Sequence, residues 1–203
     1  MALSAMMPSQ VVLAADPLPA TVVDGAATAI STAQVNVMGE SLALLQVPDL
    51  QFESLNVGDL IDHRVTLALA SGAVTKDGQG PGFDGDDQKQ IVVEDFRGTN
   101  SGWQLLVKLD AFQLAGTSTT LTPQSAQFAA SNATGTNATG IALANVDFAG
   151  MEASVVTAPI DRGSGTTTLA ITAATLTLPQ TGNVLAGDYR AALDWLLLSA
   201  PQP

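Results

Sequence analysis

Residues 92–105 read VVEDFRGTNSGWQL, from Val92 to Leu105. An apolar run leads into Asp95-Phe96-Arg97-Gly98-Thr99, a short turn follows, and Gly102-Trp103-Gln104-Leu105 opens the next apolar run. Along a β-strand, residues i and i+2 share a face, so the indole of Trp103 and the side chain of Leu105 stand side by side. The same tripeptide pattern returns near the C-terminus as Trp195-Leu196-Leu197. These are the only two tryptophans in 203 residues, in a chain that is just 4% aromatic. The two tripeptides are therefore where the chain concentrates its largest apolar surface.

Working outward, strand-like segments lie at 35–38, 42–46, 50–57, 63–70, 90–95, 103–109, 119–128, 141–148, 152–157, 166–178 and 189–198. Residues 166–178, TTTLAITAATLTL, interleave apolar and threonine positions as a half-buried strand does. Turn formers separate these segments. Asp77-Gly78, Gly80-Pro81-Gly82 and Asp84-Gly85 mark a long loop between Val74 and Gln90. Residues 131–140, SNATGTNATG, form a short polar repeat, and Asp161-Arg162-Gly163-Ser164-Gly165 is a further turn. No repeat of about 20–50 residues is present, which argues against solenoids and propellers. The expectation is an all-β fold: a single β-sandwich or irregular β-barrel with long loops.

Composition agrees. A hydrophobic fraction of 46% is enough for a core, and the charged fraction is only 13%. Thr and Val favour strands, Gly and Asn favour turns. The net charge of −12 opposes phosphate backbones, so nucleic acid is excluded as a partner class. It also opposes anionic lipid and anionic wall polymers. The absence of cysteine removes disulfides, thiol catalysis and thiolate metal sites. No stretch reaches the roughly 20 apolar residues of a membrane span. The N-terminal MALSAMMPSQVVLAAD lacks a basic start, yet Val12-Leu13-Ala14-Ala15 resembles a small-residue cleavage site. Residues 1–15 are read as the rear of a signal peptide, 16–33 as a flexible Pro-, Ala- and Thr-rich arm, and 34–203 as the domain.

The order of motifs resembles the WxL domain family of Gram-positive bacterial surface proteins. Val47-Pro48-Asp49-Leu50-Gln51-Phe52 matches its opening Pro-x-Leu-x-Phe strand. Arg97-Gly98-Thr99 with Gly102-Trp103-Gln104-Leu105 matches the central block, and Trp195-Leu196-Leu197 matches the terminal Trp-x-Leu. The likeness covers roughly residues 42–203. One departure is Glu53, where the family has Gly after the Phe, which puts the local turn in question. The resemblance implies a secreted protein held non-covalently at the cell wall, with peptidoglycan as ligand. It also implies WxL-interacting surface proteins as partners.

Trp103, Leu105, Trp195, Leu197 and Arg97 are the candidate binding residues. The aromatic pair offers a stacking platform for sugar rings or a partner's apolar strand. The competing placement, which large strand aromatics ordinarily follow, is core packing with each indole N–H satisfied. Arg97 is suited either to a carboxylate of a muropeptide or to a bidentate pair with Asp95 that fixes the turn, and the turn is the expectation. Asp84, Asp86 and Asp87, with Asp77, are oxygen ligands of the type Ca²⁺ takes, but their spacing is not that of an EF-hand, and a solvated loop is expected. His63 is the only histidine. With no second His, no Cys and no Gly-x-Ser-x-Gly, neither a zinc site nor a hydrolase triad is expected. No cofactor and no catalysis are anticipated.

Overall fold

The computed structural model describes residues 21–23, 25–28, 31–72, 74, 85, 88–129 and 132–199. The expected signal remnant 1–15 and the loop carboxylates Asp77, Asp84, Asp86 and Asp87 lie outside the described residues. The chain forms two units, Met1–Val37 and Met38–Pro203. The first holds a short antiparallel hairpin, β1 (Thr21–Val23) and β2 (Ala26–Thr28), with Thr21 opposite Thr28. This pairing falls inside the segment read as a flexible arm. The strand expected at 35–38 does not form. Val35, Val37 and Met38 are all more than 80% exposed, and the segment has no strand partner.

The second unit runs β3 (Leu42–Gln46), α1 (Val57–Asp62), β4 (Val65–Ala68), β5 (Gln90–Asp95), β6 (Trp103–Leu109), β7 (Phe112–Leu114) and β8 (Thr120–Leu121). It continues with β9 (Ser125–Phe128), β10 (Ala153–Ala158), β11 (Gly165–Ala170), β12 (Ala174–Leu178), β13 (Tyr189–Arg190) and β14 (Leu193–Leu198). Among the described residues four three-stranded antiparallel sheets result, in the orders β10-β6-β14, β11-β5-β3, β4-β12-β9 and β13-β7-β8. None of these closes into a barrel, and the arrangement is that of an all-β sandwich.

The opening stretch explains how the layers are joined. β5 and β6 do not pair with each other: each is the central strand of its own sheet. The turn at 96–102 therefore carries the chain from one sheet to the next. Both strands alternate strictly, with Ile91, Val93 and Asp95 buried on β5 and Trp103, Leu105, Val107 and Leu109 buried on β6. All of these but Asp95 belong to one hydrophobic cluster with Phe128, Phe148, Leu169 and Leu176. Each fully buried aliphatic or aromatic side chain adds about 1.5–3 kcal/mol to the driving force for folding.

Several expected strands are shorter or divided. Residues 166–178 split into β11, which pairs with β5, and β12, which pairs with β4 and β9. The break at Ile171–Ala173 takes the chain between sheets, and the buried positions shift there from Thr167, Leu169 and Ile171 to Ala174, Leu176 and Leu178. Residues 50–57 supply only an isolated bridge, Phe52 to Leu69, and then enter the helix. Asn56 occupies its N-cap, Asp59 lies in its first turn, and Leu60 is fully buried. The segment 119–128 breaks around Pro123 into β8 and β9, because Pro cannot donate to a ladder. Residues 141–148 form only isolated bridges. Glu53, the departure from the family pattern, has no positive φ, so the backbone there does not require Gly. Its N–H donates to the carbonyl of Ala68 at 3.0 Å.

Candidate functional site

The two tripeptides meet on adjacent strands. β14 pairs antiparallel with β6, placing Leu197 opposite Leu105 and Trp195 opposite Val107. Directly opposed residues of an antiparallel pair share a face. Trp103, Leu105, Trp195 and Leu197 thus all point to the inner side of the sheet. Trp103 and Leu105 are 0% exposed. The Trp103 Nε1–H donates to the carbonyl of Gly163 at 3.2 Å, so its polar edge is satisfied where it is buried. Gly163 has φ +79°, and a Cβ there would run into the indole nitrogen itself. Trp195 is half-buried and stacks on Phe128, with centroids 6.0 Å apart and 5° between planes. Phe128 in turn packs on Phe148 at 4.3 Å. The tripeptides are core furniture in this conformation, and neither Trp103 nor Leu105 presents surface to a ligand. Their middle residues face outward: Gln104 Nε2 donates to Ser154 Oγ at 2.7 Å, and Leu196 is 43% exposed.

Arg97 ties the same unit together. Its Nε–H donates to Asp95 Oδ1 at 2.8 Å and Nη2–H to Asp95 Oδ2 at 2.7 Å, a bidentate fork. Nη2 also donates to the carbonyl of Gly102 at 2.8 Å, and Nη1 to that of Ser199 at 2.5 Å. One guanidinium therefore joins the end of β5, the start of β6 and the residue that follows β14. Ser101 Oγ adds a second bond to the Ser199 carbonyl at 3.3 Å. Four of the five N–H groups that a guanidinium offers have partners within the protein. The pair is deeply placed, with side-chain exposures of 15% for Arg97 and 3% for Asp95. Hydrogen bonds from Arg97 hold the Asp95 carboxyl below its ordinary value, against the opposing effect of burial. The same bond holds Arg97 above its own. The chain passes so tightly here that Gly102, at φ +72°, has the carbonyl oxygen of Ala158 where a Cβ would sit.

A concave surface lies elsewhere. A cleft of about 520 Å³ opens between the 50–57 segment, α1 and the 184–190 segment. Its floor is aliphatic, built from Leu60, Leu67, Leu121, Leu176 and Leu178, all buried. Three half-buried rings, Phe52, Phe112 and Tyr189, line it further. The Tyr189 hydroxyl is bonded to both the N–H and the carbonyl of Leu185, closing the rim turn. Exposed Glu53 and Asp188 and the half-buried Arg190 supply charge at its edge. Volume and lining fall within the range of small-ligand sites. None of these residues is read from the sequence as a site residue, although Phe52 and Glu53 stand in or beside the family's opening motif. A further signal was Val184 and Leu185, large apolar residues outside the strand-like segments.

His63 sits exposed at the C-cap of α1 and does not line the cleft. Among the described residues no group of three or more His, Asp or Glu is close enough to hold a metal ion. Among them, too, no helix is long and apolar enough to cross a membrane.

A family model described as WxL domain, surface cell wall-binding, matches residues 14–201. No curated protein and no solved structure matches the chain.

Proposed function

The chain belongs to the WxL domain family of surface cell-wall-binding domains, and from that premise we propose that it is a secreted, non-enzymatic protein attached non-covalently to the wall through peptidoglycan. The observation that carries this reading is the extent of the family match, residues 14–201. The cleft supports it as a place for a wall ligand, being concave, apolar in its floor and polar at its edge. Charge bears on the mode of binding. At −12 the protein gains nothing from long-range attraction to an anionic envelope, so contact must be made at short range.

The test is co-sedimentation of the folded protein with sacculi stripped of anionic polymers and proteins, with near-UV circular dichroism on the same batch. Saturable pelleting is expected. A folded sample that stays in the supernatant overturns the reading in favour of a protein receptor. That second reading, docking to a WxL-interacting protein, draws on one observation. β14 is an edge strand of its sheet, and it turns exposed Leu196 outward beside Leu106. This is a surface of the kind used for strand addition.

A further inference from the structure

We propose that the cleft beside α1 recognises the peptide stems of peptidoglycan and not its glycan strands; this rests on the peptidoglycan reading above. The argument is one of complementary chemistry. Sites that grip sugar rings present open aromatic faces edged with hydrogen-bonding groups. Here no tryptophan lines the cleft, and the three rings among its described lining residues are all half-buried. The Tyr189 hydroxyl is already engaged by Leu185. The floor is leucine, which packs methyl groups and short aliphatic side chains by area and shape rather than by stacking. Leu185, 54% exposed, extends that apolar surface to the rim, where a bound chain would cover it.

The rim gives the sign of the ligand's charges. Glu53 and Asp188 are exposed carboxylates on the cleft edge, and Arg190 is the cation among its lining residues. A neutral polysaccharide would hydrogen-bond to these groups through its hydroxyls but would neutralise neither charge. A peptide stem supplies both: the side-chain ammonium of its diamino acid and the carboxylates of its glutamate and terminal alanine, on a backbone otherwise bearing methyl groups. Ammonium groups also carry the sign of charge that a protein of net charge −12 attracts. A volume of about 520 Å³ suits a segment of a few residues, not a folded partner.

The experiment uses the full chain and three soluble or particulate probes: a synthetic N-acetyl-L-Ala-γ-D-Glu-L-Lys-D-Ala stem, glycan chains freed of stems by amidase with the lactyl carboxylates so released capped as amides, and intact sacculi. Calorimetry or chemical-shift titration reads the first two and pelleting reads the third. The expected result is saturable binding of the stem and none of the stem-free glycan. Stem binding should weaken about tenfold on acetylating the lysine amine, and similarly in the E53Q/D188N double variant. Leu185→Ser, at an exposed position, should weaken it without unfolding the protein. Binding of stem-free glycan in place of the stem overturns the inference. So does stem binding that is indifferent to all three substitutions, since the cleft is then not the site. Sacculi that pellet the protein when neither soluble probe binds also overturn it, while leaving the peptidoglycan reading intact. If sacculi themselves fail to pellet the folded protein, both fall together.

Discussion

Removing the Arg97 side chain is the sharpest test of how this domain is held together. Arg97→Met keeps an aliphatic stem and deletes the guanidinium. The deletion leaves Asp95, 3% exposed, as a carboxylate without its fork, and removes the bonds to Gly102 and Ser199. Breaking a buried pair by removing one partner costs about 3–5 kcal/mol, because a charge stays buried without compensation. The backbone N–H of residue 97 still reaches Asp95 Oδ1, at 3.2 Å in the native protein, which puts the cost toward the lower end. Against a total stability of about 5–15 kcal/mol, that is a large shift that still leaves a folded population. Urea unfolding followed by tryptophan fluorescence reads it directly, since Trp103 is fully buried and moves to water on unfolding. The companion change Asp95→Asn separates pair from position. In the double variant no buried charge remains, so the two losses should fall short of additive by about 1–3 kcal/mol. Arg97→Lys should recover little, because an ammonium cannot reproduce a planar fork. A loss under about 1 kcal/mol in Arg97→Met, or strict additivity in the cycle, would refute the clamp.

Other outcomes follow from the same geometry. Trp103→Ala should cost about 3–5 kcal/mol and unfold a large share of the protein, measured by the same urea curves. With Trp103→Phe, the remaining Trp195 should be quenched by acrylamide more readily than Trp103 is in a Trp195→Phe variant, because only Trp103 is wholly enclosed. Gly163→Ala forces a methyl against the indole at a left-handed φ and should cost about 1–3 kcal/mol or more, with a shifted emission maximum. The lowered pKa of Asp95 fixes the sign of an acid effect. Its contribution to stability is full above the ordinary value of 3.8 and is lost as pH falls below it through the depressed folded value. Asp95→Asn should flatten that part of the stability–pH curve, read from thermal midpoints between neutral and acid pH. Sacculus binding should also persist in the presence of a chelator, since the proposed contact is apolar and uses the protein's own charges; release by chelator would point to bridging cations.

What could be read from the sequence, and what could not, divides along the range of the interactions involved. Alternation on β5 and β6 is written in adjacent side chains, so their buried faces were legible from Ile91 to Leu109. Which strand each one pairs with was not, because partners such as β11 and β14 lie far along the chain. No Gly or Pro marks the crossing at Ile171–Ala173; its only trace is a one-residue slip of the period-2 pattern, from Leu169 and Ile171 to Leu176 and Leu178, too slight to divide the segment. The helix at Val57–Asp62 carried a start signal in Asn56, but six residues bury only Leu60, too little to show a helical period. The Asp95–Arg97 fork was legible at two residues' separation; the reach of the same guanidinium to Ser199, 102 residues on, was not. The cleft was least legible of all, since Leu60, Leu67, Leu121, Leu176 and Tyr189 each come from a different element. This has a consequence for how mutants are interpreted. The residues that identify the family, Trp103 and Leu105 above all, are those that hold its strands together, and they are enclosed. A variant at those positions that no longer binds the wall reports on folding. Contact with a ligand has to be sought among residues the motif does not contain, where substitution at exposed Glu53, Leu185 or Asp188 can change binding while the fold survives.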